Sequence, residues 1–137
     1  MTQVGVFTVG KPKYRCVENR IFNSIKEILS KNEFENIVYD ENQEGLDVIY
    51  VFTNESAINR MIKMFLFNKV LMDHKIVTKE ILFQKNLPGI FSVDNNEKIL
   101  REFLNVNLNS DLVLDKISDM GINSLTEIDL VKIKKPT

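Results

Sequence analysis

The spacing of hydrophobic residues along the first part of the chain predicts alternating strands and helices. β-Branched and aromatic residues from Val4 to Val9 form a run that Gly10 and Pro12 close, which predicts a first strand and its turn. From Arg15 to Ser30, apolar residues recur every three or four positions, the pattern of an amphipathic helix with one buried side.

The pattern continues through a hairpin, a second helix and a fourth strand. Two strands, Ile37 to Tyr39 and Leu46 to Phe52, flank the polar turn DENQEG, which predicts a hairpin. A second amphipathic helix follows from Ala57 to Leu66, and a fourth strand is predicted from Ile76 to Phe83. The order βαββαβ predicts an α+β fold with a four-stranded antiparallel sheet and both helices on one face, the ferredoxin-like arrangement.

The remainder of the chain is predicted to be helical. Pro88 and Gly89 interrupt the pattern, and a third helix follows them. A helical hairpin ends the chain: its first helix stops at Gly121, and Thr126 with Asp129 caps its second helix. We therefore divide the chain into a ferredoxin-like core, residues 1–90, and a C-terminal helical extension, residues 91–137.

The strand Val48 to Phe52 is apolar or aromatic at every position. In a sheet whose helices cover one face only, a strand should alternate apolar and polar residues, because its other face meets water. Burying each such side chain stabilises a fold by roughly 1.5–3 kcal/mol, so we expect the second face of this strand to be covered. The candidates, in order of preference, are the C-terminal extension, a second copy of the protein and a ligand.

Three aromatic residues raise the alternative of an RNA-binding sheet. Phe7 on the first strand and Tyr50 and Phe52 on the third would be neighbours at the centre of a ferredoxin-like sheet, where RNA-recognition domains stack bases. Such domains also need flanking basic residues, whereas Asp47 and Glu55 bracket this strand. We therefore favour core packing for these aromatics over nucleic-acid binding.

Composition and charge narrow the range of functions. Hydrophobic residues make up 44% of the 137 positions and charged residues 27%, as in an ordinary globular domain. The 18 Lys and Arg residues against 19 Asp and Glu residues leave a net charge of −1, which argues against non-specific binding to nucleic acid or lipid. The apolar runs are too short to span a bilayer, and the N-terminus lacks the order of a signal peptide, so we expect a cytoplasmic protein without membrane insertion.

The segment that leads into the first helix is the strongest candidate for chemistry, and its functional side chains are Lys11, Lys13, Arg15 and Cys16. Positive charge and the helix dipole would favour a thiolate or a bound anion there. The segment lacks the glycine pattern of a P-loop and the paired cysteines of a redox motif, so a solvated turn with an inert cysteine is the preferred interpretation. A single histidine, His74, does not make a metal site, and no motif indicates a cofactor.

The stretch LDKISDMGINSLTEIDL, Leu114 to Leu130, resembles the short C-terminal helical motif of many Bacteroidetes proteins, among them rhomboid-family membrane proteins. The motif reads roughly LDKIS-x-x-G-x-x-SLT-x-x-E, and Leu114 to Ser118, Gly121 and Ser124 to Thr126 agree with it. Asp129 stands where the motif has Glu, and Leu130 to Ile133 diverge from the motif. More loosely, the stretch is similar to small oligomerisation hairpins of bacterial proteins. The resemblance implies an element for attachment or association, and it implies no reaction.

These patterns favour a protein-interaction or adaptor module over an enzyme. We expect it to bind a second copy of itself or another protein through one sheet face and the tail hairpin, and the expected contact residues are Phe7, Val48, Tyr50, Phe52, Leu114, Ile117 and Leu125. Two alternatives stay open: an enzyme or anion-binding protein that uses the segment Lys11 to Cys16, and an RNA-binding sheet.

Overall fold

The structure is a computed structural model, and it describes residues 2–134. The chain divides into two compact units, Met1–Thr78 and Lys79–Thr137. Sequence reasoning placed the division at residue 90, because Pro88 and Gly89 interrupt the hydrophobic pattern. The boundary between the two compact units lies shortly after the last strand of the sheet, which ends at Ile76.

The N-terminal unit contains a four-stranded antiparallel sheet with helices, so the predicted mixed α and β class is confirmed. Its elements are, in chain order, β1 (Gln3–Val9), α1 (Arg15–Ile28), α2 (Lys31–Glu35), β2 (Val38–Glu41), β3 (Asp47–Thr53), α3 (Glu55–Phe67) and β4 (Leu71–Ile76). The strand order is β2-β3-β1-β4, which makes β2 and β4 the two edges of the sheet. The short helix α2 is an addition to the predicted order.

The helices α1 and α3 supply the residues that cover one face of the sheet. Phe7 of β1 lies in this core against Phe65 of α3, with ring centroids 5.4 Å apart. At Gly5 the helix α3 approaches β1 closely, because a Cβ at this position would lie 3.2 Å from Ile58 Cγ1. The missing side chain therefore lets helix and strand pack directly on each other.

The strand β3 is buried on both faces, as its uninterrupted apolar pattern predicts. Ile49 and Val51 belong to the core on the helix side, and Tyr50 and Phe52 alternate with them on the opposite face. All four side chains are at most 8% exposed. Val4 of β1, which pairs with Phe52, is fully buried. The second face of the central strands is thus a core face and not a wet one.

The predicted fourth strand, Ile76 to Phe83, is wrong. The strand β4 is Leu71–Ile76, and a helix, α4 (Thr78–Leu82), follows it. The hydrophobic pattern did not predict β4, because this edge strand has mostly polar, exposed side chains and so need not alternate between apolar and polar residues. The apolar residues Ile81, Leu82 and Phe83 are buried in α4 and directly after it.

The C-terminal unit is helical, as predicted. After α4 come a 3-10 turn (Gly89–Ser92), α5 (Asp94–Asn107), α6 (Ser110–Met120), a second 3-10 turn (Ile122–Ser124) and α7 (Glu127–Lys134). Gly121 ends α6 at a φ of 85°, a backbone conformation that favours glycine. The Thr126 N–H donates to Asp129 Oδ2 over 2.9 Å, so the predicted cap of the last helix is confirmed. Within residues 2–134, every helix falls short of the length and apolarity that crossing a bilayer requires.

The helix α2 begins with a reciprocal capping box. The Glu33 N–H donates to Ser30 Oγ over 3.2 Å, and the Ser30 N–H donates to Glu33 Oε1 over 2.9 Å. Partial burial acts to raise the pKa of Glu33, but hydrogen bonds, those from Ser30 among them, outweigh it and hold the pKa below its ordinary value of 4.5. The ionised carboxylate therefore stabilises this turn.

We expect Ser30→Ala to lower the free energy of unfolding by about 1 kcal/mol, because an N–H group at the start of α2 loses its acceptor. Chemical denaturation of the two proteins measures the difference. The matched control is Ser24→Ala inside α1, which should change the free energy of unfolding by no more than about 0.5 kcal/mol. Equal losses in both variants would contradict a capping role for Ser30.

The capping box should also make stability depend on pH. The folded-state pKa of Glu33 lies below the unfolded value, so its stabilising effect is present above pH 4.5 and is lost as the pH falls through the folded-state pKa. The variant Glu33→Gln keeps an acceptor oxygen but does not titrate. Between about pH 7 and pH 3, wild-type stability should fall relative to that of Glu33→Gln in urea denaturation, whereas a constant difference would refute the ionic contribution.

Candidate functional site

The predicted anion-binding residues Lys11, Lys13, Arg15 and Cys16 are all exposed. Lys11 and Lys13 lie in the turn that leads into α1, and Arg15 and Cys16 are the first two residues of the helix. Lys11 Nζ lies 3.5 Å from Glu41 Oε2 of β2, and this exposed ion pair offsets part of the positive charge of the turn. The structure thus brings the four residues together on an open surface. The alternative of an enzyme or anion-binding protein depends on their charge alone.

The predicted interaction residues of the sheet do not share one face. Phe7 is fully buried on the helix side, because the register of β1 and β3 sets it opposite Ile49. Tyr50 and Phe52 lie on the other face and are each 8% exposed. Grouping Phe7 with them was therefore wrong, and the three aromatics form no common platform on which RNA bases could stack.

Val48, the remaining predicted contact of the sheet, is half-buried and pairs with Asp40 of β2.

Burial, followed by the charge of Asp40, raises the pKa of Tyr50. In the same way, burial followed by the charge of Asp47 raises the pKa of Tyr39. Both phenols therefore stay neutral at physiological pH, which argues against a role as a proton-accepting base.

The residues of the C-terminal motif surround a buried ion pair. Lys116 Nζ of α6 lies 2.7 Å from Asp129 Oδ2 of α7, and the two side chains are 1% and 0% exposed. The same carboxylate accepts hydrogen bonds from Thr126, and its other oxygen accepts one from Gln84 Nε2 over 3.3 Å. The buried ion pair of Lys116 and Asp129 thus connects α6 to α7.

Sequence reasoning missed this ion pair. Lys116 lies three residues after Val113, one turn along the apolar stripe of α6, and this position of a charged residue was the available signal. Of the predicted tail contacts, Leu114 is 56% exposed, whereas Ile117 and Leu125 are half-buried. Leu114 alone of these three therefore presents most of its side chain to solvent.

We expect Lys116→Met to destabilise the protein by about 3–5 kcal/mol, because it leaves the Asp129 carboxylate buried without its cation. The matched control is the double variant Lys116→Met, Asp129→Asn, which removes both charges and keeps an oxygen that can accept from Thr126. Denaturant unfolding should show that the second substitution restores part of the loss. A further loss in the double variant would show that the ion pair is not the cause.

The β4 edge, which we define as residues Asp73 to Ile76 with their backbone, is exposed at every side chain. The Val77 N–H donates to the Val4 carbonyl oxygen over 2.9 Å. In an antiparallel pair such bonds recur at every second residue. The backbone N–H and C=O groups of Lys75 and Asp73 therefore face β1 and form hydrogen bonds with it. The N–H and C=O groups of His74 and Ile76 therefore point away from β1, towards the free side of the sheet.

An open cleft of about 350 Å³ runs between the β4 edge and α3. The residues that line it are Gln3, Phe7, Glu55, Ile58, Asn59, Ile62, His74, Lys75 and Ile76. Its deep part is apolar, since Phe7 and Ile58 are buried, and its rim is polar. An extended peptide laid along the β4 edge would thus find backbone partners beside it and an apolar cleft next to every second side chain.

The C-terminal unit contains a larger groove of about 850 Å³, lined mainly by α5 and α7. Leu100 and Leu104 lie buried at its base. Its rim carries both signs of charge, and Glu97 and Arg101 form an exposed ion pair there, with Oε1 and Nη2 2.8 Å apart. The groove therefore favours no one charge class of ligand.

Within the described part of the chain, no three His, Cys, Asp or Glu side chains are grouped so that they could hold a metal ion. Comparisons of the chain with protein-family models, with curated proteins and with solved structures gave no match. A proposal of function therefore depends on the geometry of the surfaces described above.

Proposed function

We propose that this chain is a protein-interaction module that binds an extended segment of its partner along the β4 edge. The observation that carries this proposal is the direction of the backbone groups of His74 and Ile76, which point away from the sheet beside the apolar cleft. In recognition by strand addition, such main-chain groups supply affinity, and pockets for alternate side chains supply specificity.

The opposite edge of the sheet is less suited to strand addition. The strand β2 has four residues, and two of them, Asp40 and Glu41, are acidic. Charges of one sign on a short edge strand oppose pairing with another chain, whereas the six-residue β4 carries both signs, in Asp73 and Lys75. Glu41 is also paired with Lys11. The two edges of the sheet thus differ, and the exposed backbone of β4 is the better template.

The interaction surface consequently moves from the central strands, where sequence reasoning placed it, to the edge. Tyr50 and Phe52 are buried, whereas His74 and Ile76 are exposed, and a partner needs accessible groups. The resemblance of the tail to association hairpins agrees with a protein-binding role, and Leu114 is its most exposed predicted contact.

We also infer that the N-terminal unit has the ferredoxin-like arrangement. Support comes from the element order, which is βαββαβ apart from the short α2, and from the antiparallel strand order β4-β1-β3-β2. Strands β1 and β3 occupy the centre in this arrangement, and the last strand of the unit is an edge. The proposed binding strand is thus one of the two strands that such a sheet leaves free on one side.

A photo-crosslinking amino acid at position 74 of the full chain should form a covalent adduct with the bound partner, because the probe would lie at the contact. The matched control carries the probe at position 63, since Lys63 is an exposed residue of α3 outside the lining of the cleft. Adduct formation in producing cells is measured by electrophoresis and mass spectrometry. Equal yields at both positions would count against the proposal.

Backbone pairing can be tested separately with His74→Pro. Proline removes the outward N–H of residue 74 and leaves the bonds between β4 and β1 intact. With the probe placed at position 76, the adduct yield should fall in the proline variant. Thermal unfolding of the variant checks that the sheet is still formed.

A further inference from the structure

We propose that the partner strand is β4 of a second copy of this chain, which pairs antiparallel about a two-fold axis at His74. This inference rests on the proposed function, because it uses the same edge. Pairing of two such edges would join the two four-stranded sheets into one continuous sheet.

Backbone geometry limits the possible registers. In an antiparallel pair, the residues whose N–H and C=O groups point at the partner must lie opposite one another. On β4 these are His74 and Ile76. Symmetric registers that keep this rule have their two-fold axis at a residue of the edge. An axis at Asp73 or Ile76 pairs a single residue of the edge with the partner's edge, whereas an axis at His74 or Lys75 pairs three.

Charge selects one of these registers. An axis at Asp73 sets two carboxylates directly opposite each other, and an axis at Lys75 does the same with two ammonium groups, which is destabilising. An axis at His74 sets Asp73 opposite the partner's Lys75, and symmetry repeats this pair. Both pairs fall at positions without backbone bonds across the interface, where side chains lie closest together.

The charged side chains of the β4 edge are available for such pairing. Asp73 and Lys75 are both exposed, and neither takes part in an ion pair with another residue in the range 2–134. An apolar side chain is available as well, because Ile76 is 49% exposed. Association would remove part of this side chain from water.

A bulge at one end of β4 shortens the pairing segment without removing it. Thr8 pairs with Asp73, but Val9 pairs with Leu71, so Met72 is the extra residue. Bulges of this kind protect edges from continuous pairing. The segment Asp73 to Ile76 keeps an unbroken register with β1, so we expect a short interface and a dimer whose population depends on concentration.

Charge-swap variants of the full chain test the register. Sedimentation velocity over a concentration series gives the dissociation constant of the dimer. Asp73→Lys or Lys75→Asp sets like charges opposite each other at two places, and each should raise the dissociation constant roughly tenfold or more. The matched control is Lys63→Asp, the same charge change on α3, which should leave the dissociation constant unchanged.

Two further samples separate register from general charge effects. The double variant Asp73→Lys, Lys75→Asp exchanges both signs and should restore the wild-type dissociation constant to within about threefold. An equimolar mixture of the two single variants should form a heterodimer, because each then finds opposite charges on the other. Thermal unfolding should be nearly unchanged in all of them, since both side chains are exposed.

A wild-type chain that stays monomeric over the whole concentration series would overturn the inference. A dimer whose dissociation constant does not change in the charge-swap variants would overturn it as well. The proposed function has its own outcome. If the probe at position 74 captures a different protein while the pure chain is monomeric, binding by strand addition is supported. The inference that the partner is a second copy of this chain is then wrong. If position 74 gives no adduct at all, both fail.

Discussion

The pairing of β1 with β3 is the constraint on which the N-terminal unit depends. Its register sets Phe7 opposite Ile49 and Val6 opposite Tyr50, and the side chains of both strands alternate between the two faces from there. A slip of one residue would send each core side chain to the wrong face. Because these two strands occupy the centre, β2 and β4 are left at the edges, and the character of each edge follows from its own few residues.

The C-terminal unit depends on a different kind of interaction. A buried ion pair such as Lys116 with Asp129 is seldom a net source of stability, because two charges must leave water, but it strongly disfavours arrangements that separate the charges. Since the same carboxylate also accepts from Thr126, the start of α7 is tied to α6 at one point. The motif of the tail therefore has a structural explanation that is independent of any partner.

The features that sequence reasoning identified are those that depend on residues close together in the chain. Examples are the stripe of α1, the two-sided burial of β3, the end of α6 at Gly121 and the Thr126 cap. The features it missed depend on distant partners. The face of Phe7 is set by the β1 register, and Lys116 meets its acid 13 residues away. The exposed side chains of β4 do not alternate between apolar and polar residues. The boundaries of this strand, and the candidate site on it, could therefore be located only from the structure.

Gly5 has a consequence for the shape of the cleft. In the sheet it lies between Val51 and Ile76, and Ile58 of α3 packs directly above it. Ile58 and Ile76 both line the cleft, so the spacing between them is set at the one position in β1 that has no side chain. Because Gly5 has no side chain, α3 can lie close to the sheet at this point, and the width of the cleft between α3 and β4 depends on that close approach.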